Sequence, residues 1–390
     1  MKKQLAGFAL IGGFAQMACA QGSMNLYGVV DEGLTYNNNA GGHHQFGLVS
    51  GVIQASRFGL RGSEDLGGGM KALFVLENGF DASTGKLGQG GLIFGRQAYV
   101  GLSGNHGTVT MGRQYDSVVD FVGPLNVGAQ WGGFYNAHPG DVDNLNNSAR
   151  VNNAIKFRSQ NYGGLSFGGV YSLGGVAGSP ARNQIWSLGA GYGSGPLLLG
   201  IGYLNVKNPN TSFYGTGVTA NTTGSAPLNT LTNIGSPVQS GYASARSQEV
   251  FAAGAAYSFG AATVGTTYSN TRFKDLGDLS SGPNPFGYRG TATFNNVEAS
   301  FKYQVTPALL MGVAADYARG SGIHDASYRQ FVLGADYNLS RRTDVYAMAI
   351  YQKASGIDST GKRAVAAING VRPSADDSQA VLRVGLRHKF

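Results

Sequence analysis

Apolar and polar residues alternate with a period of two along most of the chain. From 297 to 303, Val297, Ala299, Phe301 and Tyr303 share one face, while Glu298, Ser300 and Lys302 share the other. From 331 to 339, Phe331, Leu333, Ala335, Tyr337 and Leu339 oppose Val332, Gly334, Asp336 and Asn338. At the C-terminus Leu382, Val384, Leu386 and Phe390 oppose Arg383, Gly385, Arg387 and Lys389. This period places each set on one face of a sheet. It predicts sixteen strands, near 24–36, 52–62, 69–80, 92–103, 106–114, 152–160, 164–173, 183–192, 196–206, 247–259, 261–271, 293–304, 308–318, 328–339, 342–353 and 379–390. Most run to about ten residues, the length with which a tilted strand crosses a bilayer. Short turns at 64–68, 105–106, 161–163 and 193–195 alternate with long polar segments at 37–51, 81–91, 115–151, 207–246, 272–292 and 354–378. Tight turns at one rim and long loops at the other are the rhythm of a membrane barrel.

Composition decides which face meets which solvent. Only 13% of residues are charged and 42% are hydrophobic, which argues against disorder. No Gly-X-Y period accompanies the 63 glycines, so a collagen-like chain is excluded. No stretch beyond the N-terminus approaches the ~20 apolar residues of a spanning helix. A soluble barrel, lectin, adhesin or solenoid would have to bury the Arg, Lys, Glu and Asp of the polar faces, at high cost if unpaired. Turning the apolar faces to lipid and the charges to a wet lumen removes that cost, and closure leaves no strand edge exposed to lipid. The reading is therefore all-β, a 16-stranded antiparallel transmembrane barrel. Residues 1–20 read as a cleaved secretory signal peptide, with Met1-Lys2-Lys3, an apolar run from Leu5 to Ala15, and Ala18-Cys19-Ala20 ahead of Gln21. The barrel domain is then 21–390, without cysteine, and the net charge falls from +8 to +6 because the leader holds two lysines and no acid.

Five stretches are more specific. They are Asn25-Leu-Tyr-Gly-Val-Val-Asp31, Ser56-Arg-Phe-Gly-Leu-Arg-Gly-Ser-Glu-Asp-Leu-Gly68, Arg96-Gln-Ala-Tyr-Val-Gly-Leu102, Val109-Thr-Met-Gly-Arg-Gln114 and Val384-Gly-Leu-Arg-His-Lys-Phe390. In this order they resemble the general porins of Gram-negative bacteria, especially the betaproteobacterial group. The resemblance implies Sec-dependent export, residence in outer-membrane lipid and lipopolysaccharide, and a homotrimer of passive water-filled pores for ions and small hydrophilic solutes. It also implies an infolded constriction loop and a terminal aromatic, Phe390, read by the barrel-assembly machinery.

The loop is expected at 115–151, where Phe121, Pro124, Trp131, Phe134 and Tyr135 supply apolar body. Arg57, Arg96 and Arg150 fall where the family's constriction arginines fall. Parity independently points Arg57 and Arg61 away from Phe58 and Leu60, and Lys156 and Arg158 away from Ile155 and Phe157. The family often places acids at the loop tip, but 123–133 contains none. Asp116, Asp120, Asp141 and Asp143 flank it. A basic wall so weakly opposed is expected to favour anions. Arg113 shares parity with Val109 and Met111, and Glu32 with Leu26, Val30 and Leu34. Charges on an outer wall suggest cover by another subunit, so both are expected at the trimer interface.

No enzyme, cofactor or metal site is expected. The six histidines are scattered, and the His43-His44 pair lacks nearby acids. Gly189-Ala-Gly-Tyr-Gly-Ser-Gly195 has no following helix to hold a phosphate, and charge spread along exported strands argues against nucleic acid. A solute-specific channel, or an enzyme or adhesin on a barrel scaffold, remains as the alternative.

Overall fold

The computed structural model describes residues 22–217 and 232–390. The expected signal peptide, and the middle of the long segment 207–246, lie outside the described residues. Strands β1 (Ser23–Asn37), β2 (Gln45–Ser50), β3 (Arg57–Gly67), β4 (Met70–Gly79), β5 (Gln97–Gly104) and β6 (Gly107–Gln114) precede the predicted inner loop. After it come β7 (Val151–Ser159), β8 (Leu165–Ser172), β9 (Ile185–Ser194), β10 (Leu197–Lys207) and β11 (Ser247–Phe259). The chain ends with β12 (Ala262–Leu276), β13 (Gly290–Gln304), β14 (Leu309–Ser321), β15 (Ser327–Asn338), β16 (Thr343–Ser355) and β17 (Ser378–Lys389).

Every neighbouring pair is antiparallel, and β1 pairs with β17 from Val29↔Lys389 to Asn37↔Val381, closing the sheet. On its other side β1 pairs with β2 near its end and with β3 near its start. β2 and β3 are thus two halves of one crossing, and the seventeen segments make the sixteen-stranded barrel. This corrects one expectation. The strand placed at 52–62 begins instead at Gln45, inside the segment taken as loop, and is interrupted at 51–56.

The barrel is apolar outside. Val384 is 63% exposed while its neighbour Arg383 is 1% exposed. Leu382, Leu386, Phe331, Leu333, Val297 and Phe301 point outward in the same way. Inside, the charges near the seam are paired. Arg383 reaches Asp31 Oδ1 at 3.2 Å, Tyr346 OH at 2.7 Å and Thr35 Oγ1 at 2.9 Å, tying β17 to β1 and β16 across the seam. Arg387 bridges Asp336 and Asp344, each at 3.0 Å.

The inner loop, 115–150, supplies what a hollow barrel lacks, an apolar interior. A short helix (Ser117–Phe121) is capped by Asp116, whose carboxylate accepts from Val118 N and Val119 N. Val118, Val122 and Leu145 pack with Val151, Ile185, Leu204, Val206 and Val250 on β7 to β11. Farther along, Val127, Trp131 and Tyr135 pack with Ala314, Val332, Met348 and Ile350 on β14 to β16. The interruption at 51–56 belongs to this second cluster, through Val52 and Ile53, and Phe134 N donates to Val52 O at 2.7 Å. The loop therefore runs along the inner wall from β8 to the break in the second crossing.

Candidate functional site at the inner loop

The loop packs against β7 to β16 and the break at 51–56, and its first residue, Tyr115, faces Glu77 on β4 and Arg96. Three of the expected basic residues meet there. Arg57 opens β3, and Arg96 and Arg150 stand one residue ahead of β5 and β7. They surround Glu77 on β4. Arg96 Nε donates to Glu77 Oε1 at 2.7 Å, and Arg57 Nε lies 3.5 Å from Oε2. Tyr27 and Tyr115 donate their hydroxyls to the same carboxylate at 3.0 and 3.1 Å. Arg96 Nη2 donates to Tyr115 OH at 3.1 Å, and the Arg150 guanidinium lies 5.9 Å from the centre of the Tyr115 ring. Burial pulls the Arg150 guanidinium down to about 10, and the charges of Arg96 and Arg113 push it the same way.

The other basic residues stand apart. Lys156 pairs with Asp120 and donates to Tyr115 O, so its charge is already answered. Arg61 lies 5.1 Å from the Tyr27 ring centre and Arg158 5.4 Å from that of Phe121. Neither belongs to an ion pair among the described residues, and both face the lumen nearer the short turns.

Three of the four acids flanking the loop tip hold the loop rather than facing the arginines, and the fourth, Asp120, is tied to Lys156. Asp116 caps the helix and accepts from Asn144 Nδ2 at 2.8 Å. Asp141 accepts from Asn146 N and Ser148 N, both at 3.1 Å. Burial pushes each of these two carboxyls up to about 6. Asp143 accepts from His138 Nδ1 at 2.6 Å and from Ser269 Oγ. Burial, the largest single influence, would raise Asp143, but the His138 charge together with hydrogen bonds from His138, Ser269 and Leu145 N outweighs it and holds the carboxyl low. Burial would likewise lower His138, and the surrounding Asp143, Asp316 and Glu298 charges reverse that, raising it well above 6.5. Glu298 accepts from Val127 N at 2.9 Å and from Asn126 and Asn136, which fastens the loop to β13.

Of the two outer-wall charges, one follows parity. Glu32 lies on the outward face of β1 between Asp31 and Gly33, which are both buried, and accepts from Ser83 Oγ at 2.8 Å. Arg113 does not. The pairing of β6 with β7 slips between Gly112 and Gln114, where Gly112 takes a φ of 137°, and a bulge re-aims the side chain. Arg113 donates to Gly95 O at 2.8 Å, to Asn152 and to Thr216 O at 3.3 Å, and lines a recess together with Arg150. The expectation that Arg113 stands on the outer wall, at the trimer interface, is corrected accordingly. Phe390 ends the chain beside β1, exchanging backbone hydrogen bonds with Gly28, each of 3.1 Å.

Glu77 escaped the sequence reading. Gly59, Arg61 and Ser63 pair with Glu77, Val75 and Leu73, so two apolar residues share its inward parity and alternation on β4 is weak. The signal available was an acid interrupting an apolar run on the strand next to one bearing arginines. Tyr27 and Tyr115 carried no signal at all, since tyrosine suits lipid and lumen alike.

Comparison with known proteins agrees with this architecture. Residues 6–356 match the family model described as Gram-negative porin. The chain is 30% identical, over the full length of both, to an outer membrane porin protein of Bordetella pertussis and, again over both full lengths, to outer membrane porin protein 32 of Delftia acidovorans. Its fold is similar to that of an anion-selective porin from Comamonas acidovorans, with a TM-score of 0.72, 24% identity, and coverage of 95% of this chain and all of that one. Lipid-facing strands around a charged lumen and these full-length matches place the chain in the Gram-negative porin family, as an outer-membrane channel for diffusing solutes.

Proposed function

We propose that the channel prefers anions and small anionic solutes, and that its selectivity resides where Arg57, Arg96 and Arg150 converge on a single carboxylate. The observation that carries this reading is the imbalance of charge at that place. Three guanidiniums, with Arg113 beside them, stand against Glu77 alone. Acids that could oppose them from the loop are buried in its anchorage or tied to Lys156. Screening at physiological salt acts over about 8 Å, comparable with a porin throat, so such a cluster influences the whole cross-section. The anion selectivity named for the Comamonas acidovorans porin supports the reading by analogy of fold. The zero-current potential across a planar bilayer under a potassium chloride gradient tests it, and a cation-selective sign overturns it.

The working assembly is a homotrimer in lipopolysaccharide-bearing membrane, with the outward Glu32 near a subunit contact and Phe390 presented to the assembly machinery. Arg113 is left out of that interface because its donors are taken within the protomer.

A further inference from the structure

Above the arginine cluster, toward the long-loop rim, a recess of about 400 Å³ opens between the inner loop, the described residues 213–216 and 233–239, and Asn369. Arg113, Arg150, Phe134, Tyr214, Gln239 and Asn369 line it. Three features distinguish it from the pore wall. First, two guanidiniums line it, and no acid is found among the described residues that do. Second, Arg150 is 6% exposed and its Nε is buried without a hydrogen-bond partner. A buried donor left unmade is costly, and more so on a charged group. Third, Phe134, Phe213, Tyr214 and Ile234 make much of the lining apolar. A hydrated inorganic ion would satisfy the guanidiniums and leave that surface wet.

We propose that this recess binds an organic carboxylate carrying an aromatic or similarly flat apolar body, making the vestibule a solute-specific subsite ahead of the general constriction. The guanidinium fork of Arg150 matches a carboxylate, with Arg113 as the second positive charge. Tyr214 and Phe134 supply faces for the ring, and Gln239 and Asn369 complete the polar rim. The volume suits a small ligand. The proposal rests on the channel reading, since it is the lumen that brings solute to the recess.

Benzoate is the probe, with acetate (charge without ring) and benzyl alcohol (ring without charge) as comparators. Calorimetric titration of the purified protein in detergent micelles, corrected for protein-free micelles, reads binding independently of conduction. Benzoate should bind about tenfold or more tightly than either comparator. It should also reduce chloride current saturably when added to the loop side of a planar bilayer. Arg150→Lys, which keeps the charge and loses the fork, and Tyr214→Ala, which removes a ring face, should each weaken benzoate binding by about tenfold. Heat-modifiable migration of the same variants on SDS gels, which does not depend on conduction, reports that the barrel has folded. Benzoate binding no better than acetate, or unchanged in both variants, overturns the subsite. A missing chloride current in the wild-type protein counts against the channel reading instead, and selective benzoate binding would then still support the subsite.

Discussion

Glycines on the inner wall give the loop somewhere to lie. A Cβ at Gly312 would come within 2.5 Å of the Trp131 ring, and one at Gly334 within 2.7 Å. At the other end Gly189 would collide with Phe121 at 2.6 Å, and Gly202 would crowd Val118 at 3.0 Å. The high glycine content therefore has a local cause, because wall and loop approach at backbone distance. Gly312→Val should overpack the Trp131 seat at a cost of about 1–3 kcal/mol. The expected outcome is added open-channel noise and a shifted unitary conductance in single-channel records, and an unchanged, quiet channel would contradict it. Glu77 argues the opposite way, through charge. Glu77→Gln removes the acid among the arginines while keeping a side chain able to accept from Arg96. A unit charge about 4 Å from a passing ion in watery surroundings is worth about 1 kcal/mol, a factor of about 5. The anion-to-cation permeability ratio should rise by up to about that factor, as read from the zero-current potential. A fall would mean that the arginines depend on Glu77 for their placement more than they are opposed by it.

The inner loop behaves as a wall element with its own anchor, and its anchor is electrostatic. Asp143, Asp316 and Glu298 gather around His138, with Asp316 Oδ1 3.6 Å from Nε2. The folded-state pKa of His138 lies well above 6.5, so its contribution to stability is complete below 6.5 and drains as pH climbs through the raised value. Channel noise should therefore grow on the alkaline side, as pH climbs above 6.5 through that raised value and three carboxylates lose their shared cation. His138→Asn should bring the same noise to neutral pH, and a variant as steady as the parent would refute the anchor. Little of this was legible beforehand. Strand existence was, because the apolar and polar faces of β13, β15 and β17 meet different solvents and alternate cleanly. The loop was located by length and aromatic content. Its attachment was not, because Asp141 and Asp143 look like solvated loop acids until Ser269 and Glu298 arrive from strands far along the chain. The break at 51–56 was equally hidden, since Val52 and Ile53 read as strand residues and are apolar for a different reason, the packing of Trp131 and Tyr135.

For the whole molecule, the decisive step is closure, and the last residue takes part in it. Phe390 both donates to and accepts from Gly28, continuing the β1–β17 ladder by one exchange beyond Val29↔Lys389. Its side chain is 44% exposed, on the outer face with Leu386 and Val384. Backbone and ring therefore have separable roles. The backbone joins the seam that removes the last free edge, which lipid penalises because unpaired groups have no water to bind. The ring is available to an outside partner, in keeping with the assembly role that the family resemblance implies. Phe390→Ala keeps the backbone exchange and removes only the ring, whereas deletion of the residue removes both. On refolding into liposomes without any assembly machinery, Phe390→Ala should match the parent, and the deletion should lose two hydrogen bonds at the seam, about 1–3 kcal/mol. In cells both should reach the outer membrane poorly if the ring is the signal. Equal assembly of Phe390→Ala and the parent in cells would remove the signalling role, and equal refolding of the deletion would show that the seam closes without its final residue. The rest of the seam, from Asp31–Arg383 to the β1–β2 and β1–β3 registers, would then carry closure alone.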